Sequence, residues 1–191
     1  MRLRQICFVS NDLENALRSF SFITGSDVCF RDEGVSYFGL KNGLLEVDGN
    51  FLEVVSPFKP NTTAERFLTR MNGDAGYMLI FECEDADIYR KKAVDLNIRD
   101  IWNSDLNNGV KATHYHPKDI GGLIISVDSM NSANWKNKDS YWQWGGDSWR
   151  SNKNNKCSIK SITMSCINPG SLAERWSSFL NLSLTNNDDR Q

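Results

Sequence analysis

The sequence predicts an α+β fold assembled from β-α-β-β-β units, two complete and a third that stops early. Three observations carry this. The stretch 3–13 returns in altered form at 76–86: Gln5 to Met78 and Asp12 to Asp85 are each 73 residues apart. Such internal similarity outranks local propensity in reading a fold. Asp48-Gly49 sits between two apolar strand patterns as a tight hairpin signal. Residues 158–184 then open a strand-then-helix pattern that no further strands complete.

In the first unit, residues 3–10 read as a buried strand. Leu13, Ala16, Leu17, Phe20 and Ile23 follow at helical spacing, with Asn11 or Asp12 suited to the N-cap and Gly25 to the stop. Three strands are expected next: Val28–Arg31 running on to Val35–Leu40, then Leu44–Val47, then Phe51–Ser56. Pro57 and Pro60 break the last one, and Thr62-Thr63 can cap a short helix over Ala64–Met71. The second unit repeats the order. Tyr77–Glu82 is a strand, and Ala86–Leu96 a helix with Ile88, Ala93 and Leu96 inward. Strands follow at Ile98–Trp102, Val110–Tyr115 and Leu123–Val127. The organisation is therefore residues 1–130 as paired modules (1–57 and 76–130), a polar linker at 131–156, and a partial βα unit at 157–191. The linker carries Trp135, Trp142, Trp144 and Trp149, so it should be pinned to a neighbouring surface with some of these rings buried. In the last unit Ile159–Cys166 reads as a strand. Pro169 opens a helix whose face is Leu172, Trp176, Phe179 and Leu180. Such a piece docks on the modules or on a partner to cover its apolar side, or else the chain is a truncated form of something longer.

Composition excludes several classes. A formal net charge of −2 argues against a nucleic-acid surface, which needs a clustered basic face. No apolar run reaches the ~20 residues that span a bilayer, and no signal peptide opens the chain, so a cytoplasmic protein with no membrane partner is expected. The five cysteines form no Cys-x-x-Cys pair, which leaves them as buried free thiols. There is no phosphate loop, no His-Glu-x-x-His and no Ser-His-Asp motif. Gly121-Gly122 precedes a strand and is not a dinucleotide fingerprint.

The paired units, with Arg4-Gln5-Ile6, the 51–57 strand, the run from His114 to Gly122 and Trp142-Gln143-Trp144, resemble the glyoxalase/bleomycin-resistance/extradiol-dioxygenase group, the vicinal oxygen chelate superfamily, and within it a glyoxalase-like subgroup. The resemblance implies that two βαβββ modules form an open, barrel-like mixed sheet around a concave cleft. It also implies a divalent metal there, held by residues of the first and last strand of each module and acting as a Lewis acid. Carried over position by position, Gln5 and Glu53 fit the ligand positions of module one. Met78 replaces a usual ligand in module two, opposite Ser126 or Ile125. The ligand set for a divalent metal is thus half present, with His114 a better supplement than His116, which sits at the strand end before Pro117. Glu53 is the candidate catalytic residue, as ligand or as a general base whose pKa burial would raise.

Three functions compete. One is proton-transfer, lyase or isomerase chemistry on a small oxygenated metabolite. A second is metal-free binding or sequestration of a small molecule, in a pocket drawn from Tyr37, Phe38, Tyr77, Trp102 and Tyr115. The third is an assembly role, in which the incomplete unit docks on a partner chain; a homodimer is one such assembly.

Overall fold

The computed structural model describes residues 1–153 and 156–185; the linker positions 154–155 and the end of the last unit lie outside them. Eight strands form one mixed sheet that is not closed into a barrel. The first half holds β1 (Arg2–Val9), α1 (Leu13–Thr24), β2 (Val28–Phe30), β3 (Leu40–Val47) and β4 (Asn50–Pro57). Helix α2 (Thr63–Met71) leads to the second half: β5 (Ala75–Cys83), α3 (Ala86–Asp95), β6 (Asp100–Asp105), β7 (Lys111–Tyr115), the single turn α4 (Pro117–Ile120) and β8 (Ile124–Ser129). The strand order β2-β3-β4-β1-β5-β8-β7-β6 reads outward identically from its centre. Strands β1 and β4 pair in parallel with Cys7 opposite Glu53, and β5 and β8 pair in parallel with Ile80 opposite Ser126. Adding 73 to the first pair gives the second, so the duplication is one of register as well as of order.

Local chemistry accounts for these elements. Asp12 caps α1 by accepting the Asn15 N–H at 3.1 Å, and Gly25 ends it in the left-handed region. Asp48 and Gly49 take φ values of 47° and 84°, as a two-residue turn of mirror type requires, which fixes Val47 opposite Asn50. Two details differ from the sequence reading. Residues expected as a strand over Val35–Leu40 form a 3₁₀ helix, Glu33–Phe38: the Asp32 carboxylate accepts the Gly34 N–H, and Gly39 at φ 73° turns the chain into β3. Helix α3 buries Ala86, Tyr89 and Ala93, while Ile88 faces solvent.

The linker crosses the sheet and is held by its tryptophans. Trp142 and Trp149 are fully buried and Trp135 nearly so, whereas Trp144 is half-buried. Arg4, also fully buried, is the pin. Its guanidinium donates to the carbonyls of Gly49, Lys138 (2.9 Å) and Ser140 (2.9 Å) and lies 5.4–5.5 Å from the rings of Phe51, Trp142 and Trp149. The linker comes so close to the β3–β4 turn that a Cβ on Gly49 would meet the Lys138 carbonyl oxygen at 2.5 Å.

The last unit forms its helix, α5 (Pro169–Leu180), but not its strand: residues 158–166 join no ladder of the sheet. They pass over the helix-covered side instead, with Cys157 and Ile159 packed on the same cluster as Phe179 and Leu180. Helix α5 docks on the second half. Phe179 lies 4.8 Å from the Tyr115 ring and 6.2 Å from the Tyr89 ring, Arg175 donates to the carbonyls of Leu96 and Asp119, and Trp176 donates to that of Ile120. Burying Phe179 and Leu180 contributes about 1.5–3 kcal/mol each. The apolar side of this helix is therefore covered by its own chain. Among the described residues no helix is long and apolar enough to cross a membrane.

Candidate active site

The concave side holds a cavity of about 210 Å³ between the two halves of the sheet. Its polar part in the first half is built on Glu53. Gln5 Nε2 donates to one carboxylate oxygen at 2.8 Å, and Asn42 Nδ2 to the other at 2.6 Å. Strand alternation puts Gln5, Cys7 and Glu53 on the concave face, because neighbouring strands in register present matching side chains. The Gln5 amide has one allowed orientation. Trp142 Nε1–H, which can only donate, reaches Gln5 Oε1 at 3.0 Å and leaves the NH₂ for Glu53. Burial raises the pKa of Glu53, and the hydrogen bonds from Asn42, Cys7 and Gln5 oppose that rise. Removing only the indole donor, with Trp142→Phe, should leave the fold intact and lower stability by about 1 kcal/mol in urea denaturation, since the Gln5 oxygen then lacks its partner.

The second half contributes Asp128. Ser126 Oγ donates to one of its oxygens at 2.5 Å and Trp144 Nε1 to the other at 2.7 Å. Asp128 is buried, and loss of water pushes its pKa up to about 7 against the pull of these two donors. His114 is on the same wall, its ring 4.5 Å from that of Trp102 and stacked on Phe38 at 6.2 Å. Burial lowers its pKa to about 4, so the imidazole is neutral at physiological pH. Cys7, Val55, Met78 and Ile80 complete an apolar lining, and burial holds the Cys7 thiol protonated.

Gln5, Glu53 and His114 thus border one cavity, as does Met78. His116 does not: its Nδ1 accepts the Lys118 N–H and caps α4, outside the inner cavity. Phe38, Tyr77 and Trp102 line the inner cavity, but Tyr37 lines only the outer one. Tyr115 is buried against α5. Asn42 and Asp128 escaped the sequence reading, which has Trp144 as a linker ring and not as a site residue. Their signals were a lone amide in the apolar strand Leu40–Val47, and an acid two residues beyond Ser126, hence on the same strand face.

The donor set does not fit a resident divalent cation. The Gln5 oxygen is committed to Trp142, and both Glu53 oxygens receive amide N–H groups. Ser126 spends its proton on Asp128, and Met78 offers a thioether where a hard ion needs oxygen. Seating a cation would require both amides to turn, which strips Trp142 Nε1 of its acceptor. Among the described residues no three His, Cys, Asp or Glu side chains are grouped to share an ion.

No protein-family model matches the chain, and no curated protein is detectably similar to it in sequence. Solved structures are similar in fold. Methylmalonyl-CoA epimerase of Streptomyces coelicolor, in complex with 2-nitronate-propionyl-CoA, superposes with a TM-score of 0.60 at 19% identity over 69% of this chain and 96% of its own. The Mycobacterium tuberculosis epimerase gives 0.58 at 19% identity, covering 66% and 86%. A hypothetical protein from Bacillus halodurans gives 0.59 at 12% identity, covering 69% and 95%. The paired-module fold that the sequence resemblance implied is the fold this chain has, and these structures share it.

Proposed function

We propose that the cavity carries out proton transfer on a small oxygenated metabolite, with Glu53 and Asp128 as the acid–base groups. One observation carries this reading: two buried carboxylates, from the last strands of the two halves, line a single cavity, and one of them has a pKa near 7. A carboxylate there is present in both protonation states at neutral pH and can give or take a proton. Gln5 and Asn42 hold the Glu53 carboxylate in one orientation, and Ser126 and Trp144 do the same for Asp128. The apolar walls exclude water from a carbanionic or enolic species, and the neutral His114 supplies a polar edge without adding charge. Methylmalonyl-CoA, present in one structural neighbour, is a first compound to try alongside small α-oxo acids.

The test is deuterium exchange into such compounds in D₂O, followed by NMR. Wild type should exchange the acidic C–H proton, and Glu53→Gln and Asp128→Asn should each lower the rate by about 10²-fold or more. Unchanged exchange in Glu53→Gln removes that residue from the chemistry. A second reading, metal-free sequestration of a small molecule, draws on the amide clamp: both Glu53 oxygens are already engaged. Saturable binding with no exchange in any compound would favour it.

A further inference from the structure

The inner cavity opens through a collar of Phe38, Leu40, Tyr77, Met78, Trp102 and His114 into an outer cavity of about 690 Å³, since these six residues line both. A further groove of about 500 Å³ continues it, sharing Arg66, Tyr77 and His116. The walls of this outer region carry Lys59, Arg66, Arg70 and Lys118, and among the described residues no Asp or Glu. That imbalance stands out in a chain whose net charge is −2. Elsewhere on the surface several cations meet acids: Arg31 with Glu14, Arg90 with Asp87 and Asp105, Arg99 with Asp119, Lys138 with Asp48. Among the described residues the four at the mouth make no ion pair, and what sets them apart is that they share walls without an acid. Lys59 and Arg70 lie only over the neighbouring rings of Phe58 and Phe67. Arg66 donates to the Asn61 carbonyl and to Thr63 Oγ1, which leaves most of its five N–H donors free.

We propose that this outer groove binds a phosphate-bearing extension of the substrate whose reacting end occupies the inner cavity; the assignment rests on the inner cavity being the reacting end. Four cations and no acid suit a multiply charged phosphate ester or diphosphate better than a single carboxylate. Glu53 and Asp128 line the inner cavity and neither of the outer ones, while the four cations line only the outer ones, so a phosphate held there avoids the repulsion it would meet beside the carboxylates.

Inorganic pyrophosphate is the probe, titrated by calorimetry into the full chain. Wild type should bind it with a Kd below about 1 mM, and more weakly as NaCl is raised. The charge reversal Arg66→Glu with Arg70→Glu should weaken binding at least about tenfold, and the milder Lys59→Ala and Lys118→Ala about threefold each while melting with wild type. Glu53→Gln should bind pyrophosphate as wild type does even where proton exchange is lost, so that failure of the groove and failure of the inner chemistry are told apart. The assignment is overturned by absence of pyrophosphate binding to wild type, by equal binding in the reversed variant, or by citrate binding as tightly as pyrophosphate.

Discussion

Replacing Arg4 by alanine is expected to destabilise the protein by about 3–5 kcal/mol, the cost of stripping a buried charge network of one partner. Three carbonyls, of Gly49, Lys138 and Ser140, lose their donor at once, and none of them gains water, because Phe51, Trp142 and Trp149 close over the site. Glu82, fully buried, loses the charge 3.5 Å away and keeps Arg2, at 2.6 Å, and the Ser140 hydroxyl. Burial lowers the Arg4 pKa to about 9, so the side chain still carries its charge at neutral pH. Arg4→Lys should not rescue the loss, since one ammonium cannot reach three carbonyls spread around a planar fork. Urea denaturation followed by tryptophan fluorescence reads this directly. The linker rings should also gain exposure, raising the emission wavelength before the sheet unfolds. An Arg4→Ala variant within about 1 kcal/mol of wild type would show that the linker is held by its rings alone.

Asp128 should make the protein less stable as pH rises. Its pKa moves from an ordinary 3.8 to about 7 on folding, with burial the largest cause. Below about pH 4 both states are protonated and the group has no effect. Between about 4 and 7 the folded state holds a proton that the unfolded state has released, so stability falls through that window by an amount on the order of 4 kcal/mol. Glu82, whose pKa burial also raises, acts with the same sign. Asp128→Asn keeps an acceptor for Trp144 Nε1 and a partner for Ser126 without the charge. It should therefore flatten the curve, with its largest gain over wild type at pH 8 and little difference at pH 4. Urea midpoints at pH 4, 6 and 8 decide this; parallel curves for variant and wild type would remove Asp128 as the origin.

Much of the sheet was legible because its signals are local. Short, near-continuous apolar runs mark β1, β4, β5 and β8, and Asp48-Gly49 admits few turns other than the one it makes. The constant spacing of 73 carried Glu53 onto Ser126, and the register agrees. What was not legible depends on distant chain. The apolar run ending at Leu40 looks extended, yet a carboxylate at Asp32 and a glycine at Gly39 turn it into a 3₁₀ helix. The run at 159–166 has strand composition, but its ladder never forms: Ile159 packs on the outer cluster, while Ile162 and Cys166 are exposed. Glu53 could be picked out as a charge in an apolar strand. Asp128 shares a strand face with Ser126, but that signal is weak, because near a strand end an acid is ordinary until Trp144, from a segment beyond the sheet, donates to it.

The duplicated halves no longer treat a guest alike. Where the first offers Gln5 and Glu53, the second offers Met78 and a carboxylate displaced two residues along, Asp128, held from behind by Ser126. A symmetric hollow would accept a compound in two interchangeable poses, turned by half a revolution. Here the turned pose would set an oxygen-rich end against a thioether and a greasy end against an amide-clamped acid. Divergence between the copies has therefore given the hollow a direction, and with it the means to tell one end of a molecule from the other.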